Sequence, residues 1–305
     1  MRITHSHLID KVINNVERQM NRLAESQTQV TTGRRVNSPS DDPAAGGEII
    51  RLMTRLSRLE QYQRNVKSGL SQLSMTETTL EQVRELAIRI KSLAVQGAND
   101  ATTAQGRRAI AEQIDQELRQ LVSLANTRYG GRCLFGGSEI RQAPYEAVEG
   151  GEGWLEAVNP TSPNRQSSFE LIFDEGERVK VTLTADDVFT LDENDSLFGL
   201  LFNLRQALTD NNGQAVGDLL PRLDEALEKL NGASALVGAR INSAQNKMDL
   251  FDRNEITLTD RLSDIGDVDL ADAMTRLNEN MVAYELALRA SANVIQMSLV
   301  NFITA

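Results

Sequence analysis

Catalysis and metal binding need titratable groups brought together, and this chain carries 2 histidines and 1 cysteine. His5 and His7 are two residues apart, which on a helix sets them on different faces, so they do not converge on one metal ion. Cys133 has no second thiol for an internal disulfide or a CxxC site, and beside Leu134 and Phe135 it fits a small apolar filler. The run Gly131-Arg132-Cys133-Leu134-Phe135-Gly136-Gly137-Ser138 has the spacing of a phosphate loop, but Gly137 stands where the lysine belongs, and a reverse turn leaving a helix is expected instead. Asp192, Asn194 and Ser196 open like a calcium loop, yet Leu197 occupies the glycine position and Asn203 the place of the bidentate glutamate. Asp41 and Asp42 could form an acid pair, but capping the helix that starts at Pro43 accounts for them. The expectation is a protein with no catalysis, no cofactor and no bound metal.

Structure must therefore carry the function. The 305 residues would ordinarily make about two domains. With 40% hydrophobic but only 4% aromatic residues, and 6 prolines, they favour long helices over a dense globule. A net charge of -11 repels phosphate backbones and anionic bilayers, so neither nucleic acid nor membrane is an expected partner. No run of eighteen apolar residues occurs, and the first twenty lack the pattern of a cleaved signal, so the protein is expected to stay in the cytosol or to leave by a route that removes nothing.

Apolar residues spaced alternately by four and three mark the helices. The first stripe is Ile9, Ile13, Val16, Met20, Leu23 and Val30, with Gln27 in the remaining slot, and it stops at Gly33. A second runs from Ile49 through Leu93 in a helix expected over Pro43 to Gln96, about 80 Å long at roughly 1.5 Å per residue. A third, starting near Thr102 or Thr103, shows Ile110, Ile114, Leu118 and Leu121 and should fold back antiparallel. Period two replaces helical period in Phe169, Leu171, Phe173 and in Val179, Val181, Leu183, around the turn Asp174-Glu175-Gly176-Glu177, which predicts a hairpin with its own satellite core. Helical pattern returns after Ser196, runs from Leu223 to Leu262, and ends in the stripe Leu270, Met274, Leu277, Met281, Tyr284, Leu288, Ser291, Ile295, Ser298 and Phe302.

The stretch Thr31-Thr32-Gly33-Arg34-Arg35-Val36-Asn37-Ser38-Pro39-Ser40-Asp41-Asp42-Pro43-Ala44 resembles the signature between the first two helices of bacterial flagellins and flagellin-like axial proteins. The segments Leu59 to Asn65, Leu93 to Asn99 and Ala125 to Gly137 are more similar to the hook-filament junction branch of that family, the third hook-associated proteins. Tyr284-Glu285-Leu286-Ala287-Leu288 and Ser298-Leu299-Val300-Asn301-Phe302-Ile303 resemble its closing helix, and Cys133 departs from the aromatic common at that position. The resemblance covers roughly residues 1 to 138 and 196 to 305. It implies a subunit exported unfolded by the flagellar type III apparatus, without a cleaved signal, into a thin extracellular layer. Its implied partners are neighbouring copies, flagellin on the filament side, another hook-associated protein on the hook side and a cytosolic export chaperone.

The fold class expected is mainly α, a long antiparallel helical rod built from both ends of the chain with a small β-rich insert. Residues 1–42 and 264–305 form the inner assembly helices, 43–138 and 196–263 the rod, and 139–195 the outer insert. The assembly interface is placed on Ile13, Val16, Met20, Leu23 and Val30 and on Leu277, Met281, Tyr284, Leu288, Ile295 and Phe302. A minor flagellin and a cytosolic coiled-coil scaffold are the alternatives.

Overall fold

The computed structural model describes residues 5–137, 142–150, 154–161, 169–192 and 195–303. Helix dominates: α1 (His5–Thr32), α2 (Pro43–Ala98), α3 (Ala104–Ala125), α4 (Ala185–Phe189), α5 (Leu197–Thr209), α6 (Gly213–Gly266) and α7 (Leu270–Ile303). Between α3 and α5 lie the short strands β1 (Arg128–Tyr129), β2 (Arg132–Cys133), β3 (Tyr145–Glu149), β4 (Leu155–Pro160), β5 (Glu170–Asp174), β6 (Glu177–Lys180), β7 (Thr190–Asp192) and β8 (Asp195–Ser196). They pair antiparallel two by two, as successive hairpins where the sequence pattern pointed to one. That one is β5–β6, with Leu171 opposite Val179. The others escaped because strand β3 buries only Tyr145, which leaves no alternation to read.

The chain divides into two units, Met1–Leu59 with Arg253–Ala305, and Glu60–Asp252. In the larger unit α2 and α6 run antiparallel. The rings of Tyr62 and Phe251 stack with centroids 6.2 Å apart, Gln63 donates to Asp252 at 3.1 Å, and Lys91 pairs with Asp224. Helix α3 folds back as expected: the Thr103 hydroxyl caps it, accepting from the Gly106 amide at 3.1 Å. Ile114, Leu118 and Leu121 of α3 are fully buried with Leu80, Leu86 and Ile90 of α2, Leu201 and Leu204 of α5 and Leu223 and Val237 of α6. Buried Arg107 fastens the turns at one end of this unit, donating to the carbonyls of Gly97 at 2.9 Å and Asn99 at 3.0 Å and to the side chain of Asn211 at 2.7 Å.

The insert does not keep a separate core, which corrects the expectation of a satellite cluster. Tyr145 and Phe189 lie edge to face, centroids 5.8 Å apart, and both meet Phe198 of α5, while Phe189 also meets Phe135 at 5.5 Å. Tyr145, Leu155, Leu183 and Val188 belong to the same buried cluster as the helices. Asp115 of α3, itself buried, ties them electrostatically: it pairs with Arg205 of α5, accepts from Arg119 at 3.1 Å, and accepts the Leu155 amide of β4 at 3.1 Å. The alternating faces of β5 and β6 misled because their buried side, Phe173 with Val181, is seated on α2. A Cβ at Gly69 of α2 would stand 3.0 Å from the Phe173 ring and 3.1 Å from Val181.

Replacing residues 139–195 by a short Gly/Ser linker is therefore expected to unfold the larger unit, because it strips the cover from Phe135, Phe198 and Leu201. Phe189→Ala alone should cost about 3–5 kcal/mol in chemical denaturation, the usual range for a large buried ring. A loss under about 1 kcal/mol would restore the satellite reading.

A second prediction concerns the clamp holding β5–β6 to α6. Lys247 contacts Asp174 at 2.6 Å and Glu177 at 2.7 Å. The Lys247 hydrogen bond holds the Asp174 carboxyl below its usual pKa, outweighing desolvation; burial works to lower Lys247, but its two carboxylate partners raise it on balance. A lowered acid stabilises the folded state above its unfolded pKa and ceases to as pH falls through the folded one; a raised base does so below its unfolded pKa. The clamp should thus hold across neutral pH and open below the carboxylate range. Amide exchange at Leu171 and Val179, corrected for intrinsic rates, should rise there, and Lys247→Ala should abolish that dependence.

Candidate assembly interface

The smaller unit is built on the two terminal helices. Helix α1 takes its own polar side chains into its last turns, where the hydroxyls of Thr28, Thr31 and Thr32 donate to carbonyls four residues back. It ends at Gly33, whose φ of 70° only glycine adopts freely and whose amide reaches the Gln29 carbonyl at 2.9 Å. Helix α7 starts from Asp269, whose carboxylate accepts the Ala271 amide at 2.9 Å.

The loop joining α1 to α2 clasps the turn joining α6 to α7. The Arg35 amide donates to the Gly266 carbonyl at 2.7 Å, and the Val268 amide donates to the Gly33 carbonyl at 3.0 Å. The Arg35 guanidinium adds a bond to the Ile265 carbonyl at 2.8 Å and pairs with Asp42 at 3.4 Å. The two neighbouring aspartates have separate tasks. Asp41 accepts the amides of Asn37 at 3.1 Å and Ser38 at 2.8 Å, rigidifying the loop. Asp42 caps α2 by accepting the Ala45 amide at 3.0 Å, and that bond first, with Arg35 assisting, holds its pKa below the usual carboxylate value. Gly46 lets the loop close on the helix, since a Cβ there would meet the Pro39 Cα at 3.1 Å.

So clasped, α1 and α7 pack against each other antiparallel, with Asn280 donating to the buried Ser26 hydroxyl at 2.7 Å. The pair separates the candidate residues into two sets. Val16, Leu23 and Val30 of α1 are half-buried, as are Leu277 and Tyr284 of α7. Ile13 and Met20 are 50% and 51% exposed, and Met281 and Leu288 are 47% and 43% exposed. Ile295 and Phe302 lie on α7, but their side chains fall outside the described residues. Leu270 and Met274, on the expected stripe but left out of the expected interface, are also exposed, and so are Val282 and Leu286 around the helix from them, which sequence reasoning missed. The signal was present: α7 carries apolar residues on adjoining stripes, more than one helix partner can bury.

The other candidate chemistry resolves into structure. His7 is exposed, and His5 lies outside the residues whose side chains are described. Gly130 and Gly131, both with positive φ, turn the tight β1–β2 hairpin, and Cys133 is buried beneath it. Asp192 and Asp195 are both paired with Arg222, at 2.8 and 2.9 Å, and Leu197 is in the core, while Asn194 lies outside the described residues. Among the described residues no cluster of three or more His, Cys, Asp or Glu is placed to hold a metal ion.

These elements can be set beside known proteins. The family models for the bacterial flagellin N-terminal helical region and C-terminal helical region match residues 3–139 and 220–303, which together make up more than two thirds of the chain. The B-type flagellin of Pseudomonas aeruginosa is 35% identical over 143 residues, 44% of this chain but only 29% of that protein. Flagellar hook-associated protein 3 of Escherichia coli is 24% identical over 286 residues, covering 89% of this chain and 90% of that protein. A solved structure of a putative flagellar hook-associated protein from Vibrio parahaemolyticus shares the fold, with a TM-score of 0.66 at 22% identity, over 74% of this chain and 100% of that one. Both helical regions of the chain therefore match one family, and the chain belongs to the bacterial flagellin family.

Proposed function

We propose that this chain is a structural subunit of the bacterial flagellum that fits the hook-associated layer to the flagellin filament at the hook-filament junction. The observation that carries the reading is a helix pair, made from both ends of the chain, that half-buries one apolar stripe and leaves another open along Ile13, Met20, Met281 and Leu288. Exposed apolar stripes commonly mark protein contacts. Similarity to hook-associated protein 3, at 24% identity over 89% of this chain and 90% of that protein, supports the junction, and the flagellin FlaB1 of Treponema pallidum, at 22% identity over 90% of each chain, keeps the filament as the second reading.

In this reading residues 1–42 and 264–305 line an inner layer shared with neighbouring copies, 43–138 and 196–263 stack laterally, and 139–195 faces outward. Flagellin sits on one side and another hook-associated protein on the other. The chain travels through the flagellar type III apparatus to the cell exterior without losing a signal, and a cytosolic chaperone covers the open stripe before export. No catalysis is assigned to it. The local 35% identity to a flagellin favours, as a second reading, a minor filament subunit. A tagged copy should appear as one focus at the base of each filament. Label along the filament would establish the minor flagellin, and label confined to the cytosol would overturn both.

The open stripe gives a mutational test. Met281→Asp and Leu288→Asp place charges where a neighbour's apolar surface would lie, so assembly should fail while monomer stability changes by less than about 0.5 kcal/mol, as for other exposed positions. Sedimentation and thermal melting read the two effects separately. Melting several degrees lower would assign both residues to the subunit's own core.

A further inference from the structure

A cavity of about 450 Å³ opens within the larger unit, where the insert meets α6. Three cations face it: Lys180 at the end of β6, and Lys229 and Arg240, which stand about three turns apart on one face of α6. The ammonium of Lys229 is held by the backbone carbonyls of Thr190 and Asp186. Arg240 donates to the Thr182 carbonyl at 3.3 Å, its one hydrogen bond among the described residues. Asp187, the single carboxylate of the lining, accepts the Thr184 amide at 2.9 Å as part of the α4 cap. Burial lowers the pKa of Arg240 despite the pull of Asp187, which marks a guanidinium partly stripped of water. Most of its planar N–H fork is unused, and that fork matches a carboxylate bidentately.

The chain is acidic overall, with 43 Asp and Glu against 32 Lys and Arg, so convergence of three cations on one cavity runs against its general charge. The same excess means that every copy presents carboxylates to its neighbours. The cavity is also not a bare anion hole: Leu236 at its edge is 45% exposed, and a Cβ added at Gly232 would meet nothing within 4 Å. Open floor and apolar rim suit an acid carried on an aliphatic stem.

We propose that this cavity docks a carboxylate side chain from a second copy of the chain, gripped by Arg240 and held in place by Lys180 and Lys229. The proposal rests on the assembly reading above. Equal amounts of unlabelled and ¹⁵N-labelled chains, assembled together and treated with a carbodiimide, test it directly, because that reagent joins only amines and carboxylates already in contact. Mass spectrometry should find Lys180 or Lys229 of one isotope linked to an Asp or Glu of the other. Lys180→Gln with Arg240→Gln should raise the concentration needed for half-assembly about tenfold, and salt should weaken the wild type toward the variant. Oligomers that yield only within-chain links, or a variant that assembles like the wild type, would overturn the docking site alone. Inorganic phosphate protecting Lys229 from acetylation in oligomers without mixed links would make it a free-anion site and overturn it too. A wild-type chain that never sediments as oligomers would overturn both readings.

Discussion

Four backbone groups hold the two ends of this protein in register. The amide of Arg35 and the carbonyl of Gly266, with the amide of Val268 and the carbonyl of Gly33, form a short antiparallel bridge between segments that the neighbouring Arg35–Ile265 contact shows to be 230 residues apart. Helix α1 leaves one side of the bridge and α7 the other, so the antiparallel sense of the bridge is that of the helix pair. The glycine at 33 is required by its backbone angle, Arg35 ties the same bridge to the cap of α2, and Asp41 and Asp42 stiffen the intervening loop. The signature residues are thus spent on geometry, and the apolar stripe that remains open is a product of that geometry.

In the larger unit the comparable element is a buried charge. Asp115 would be costly alone in the cluster, but two guanidiniums and a backbone amide satisfy it. Because those partners come from α3, α5 and β4, the aspartate selects one arrangement of helices and insert among the many that an aliphatic core would tolerate. Arg205 extends the selection by lying over the rings of Trp154 and Phe202, each 5.1 Å away. The aromatic residues are few, and several of them collect here, which is how a composition so poor in bulky side chains still fills its interior.

How much of this could be read in the residues depended on period. The long helices were legible because their stripes repeat for many turns: α2 begins at Pro43 and α3 at Ala104, as capping and spacing indicated. The clasp was legible as a resemblance but not as geometry, since backbone hydrogen bonds leave no side-chain pattern. What covers the β5–β6 hairpin was misread. Alternation in Phe169, Leu171 and Phe173 reports that one face is buried but carries no information about what covers it, and the cover proved to be α2 beside Gly69. The split of the terminal stripes was hidden for a related reason. A heptad pattern marks every apolar position equally, whereas one antiparallel partner reaches only Val16, Leu23, Leu277 and their neighbours and leaves Ile13 and Met281 outside.

The pairing of first helix with last also carries an entropic cost that bears on the order of folding. The contact between Ser26 and Asn280 spans 254 residues, a loop whose closure from an open chain would cost on the order of 5 kcal/mol in entropy. That cost falls once the larger unit exists, because α2 and α6 then emerge side by side at Tyr62 and Phe251. Loop entropy alone therefore favours forming the larger unit before the terminal pair. During synthesis α1 cannot pair with α7 until α7 (Leu270–Ile303) has been made. A polypeptide arranged in this way leaves its first helix without its intramolecular partner until its last helix has been made.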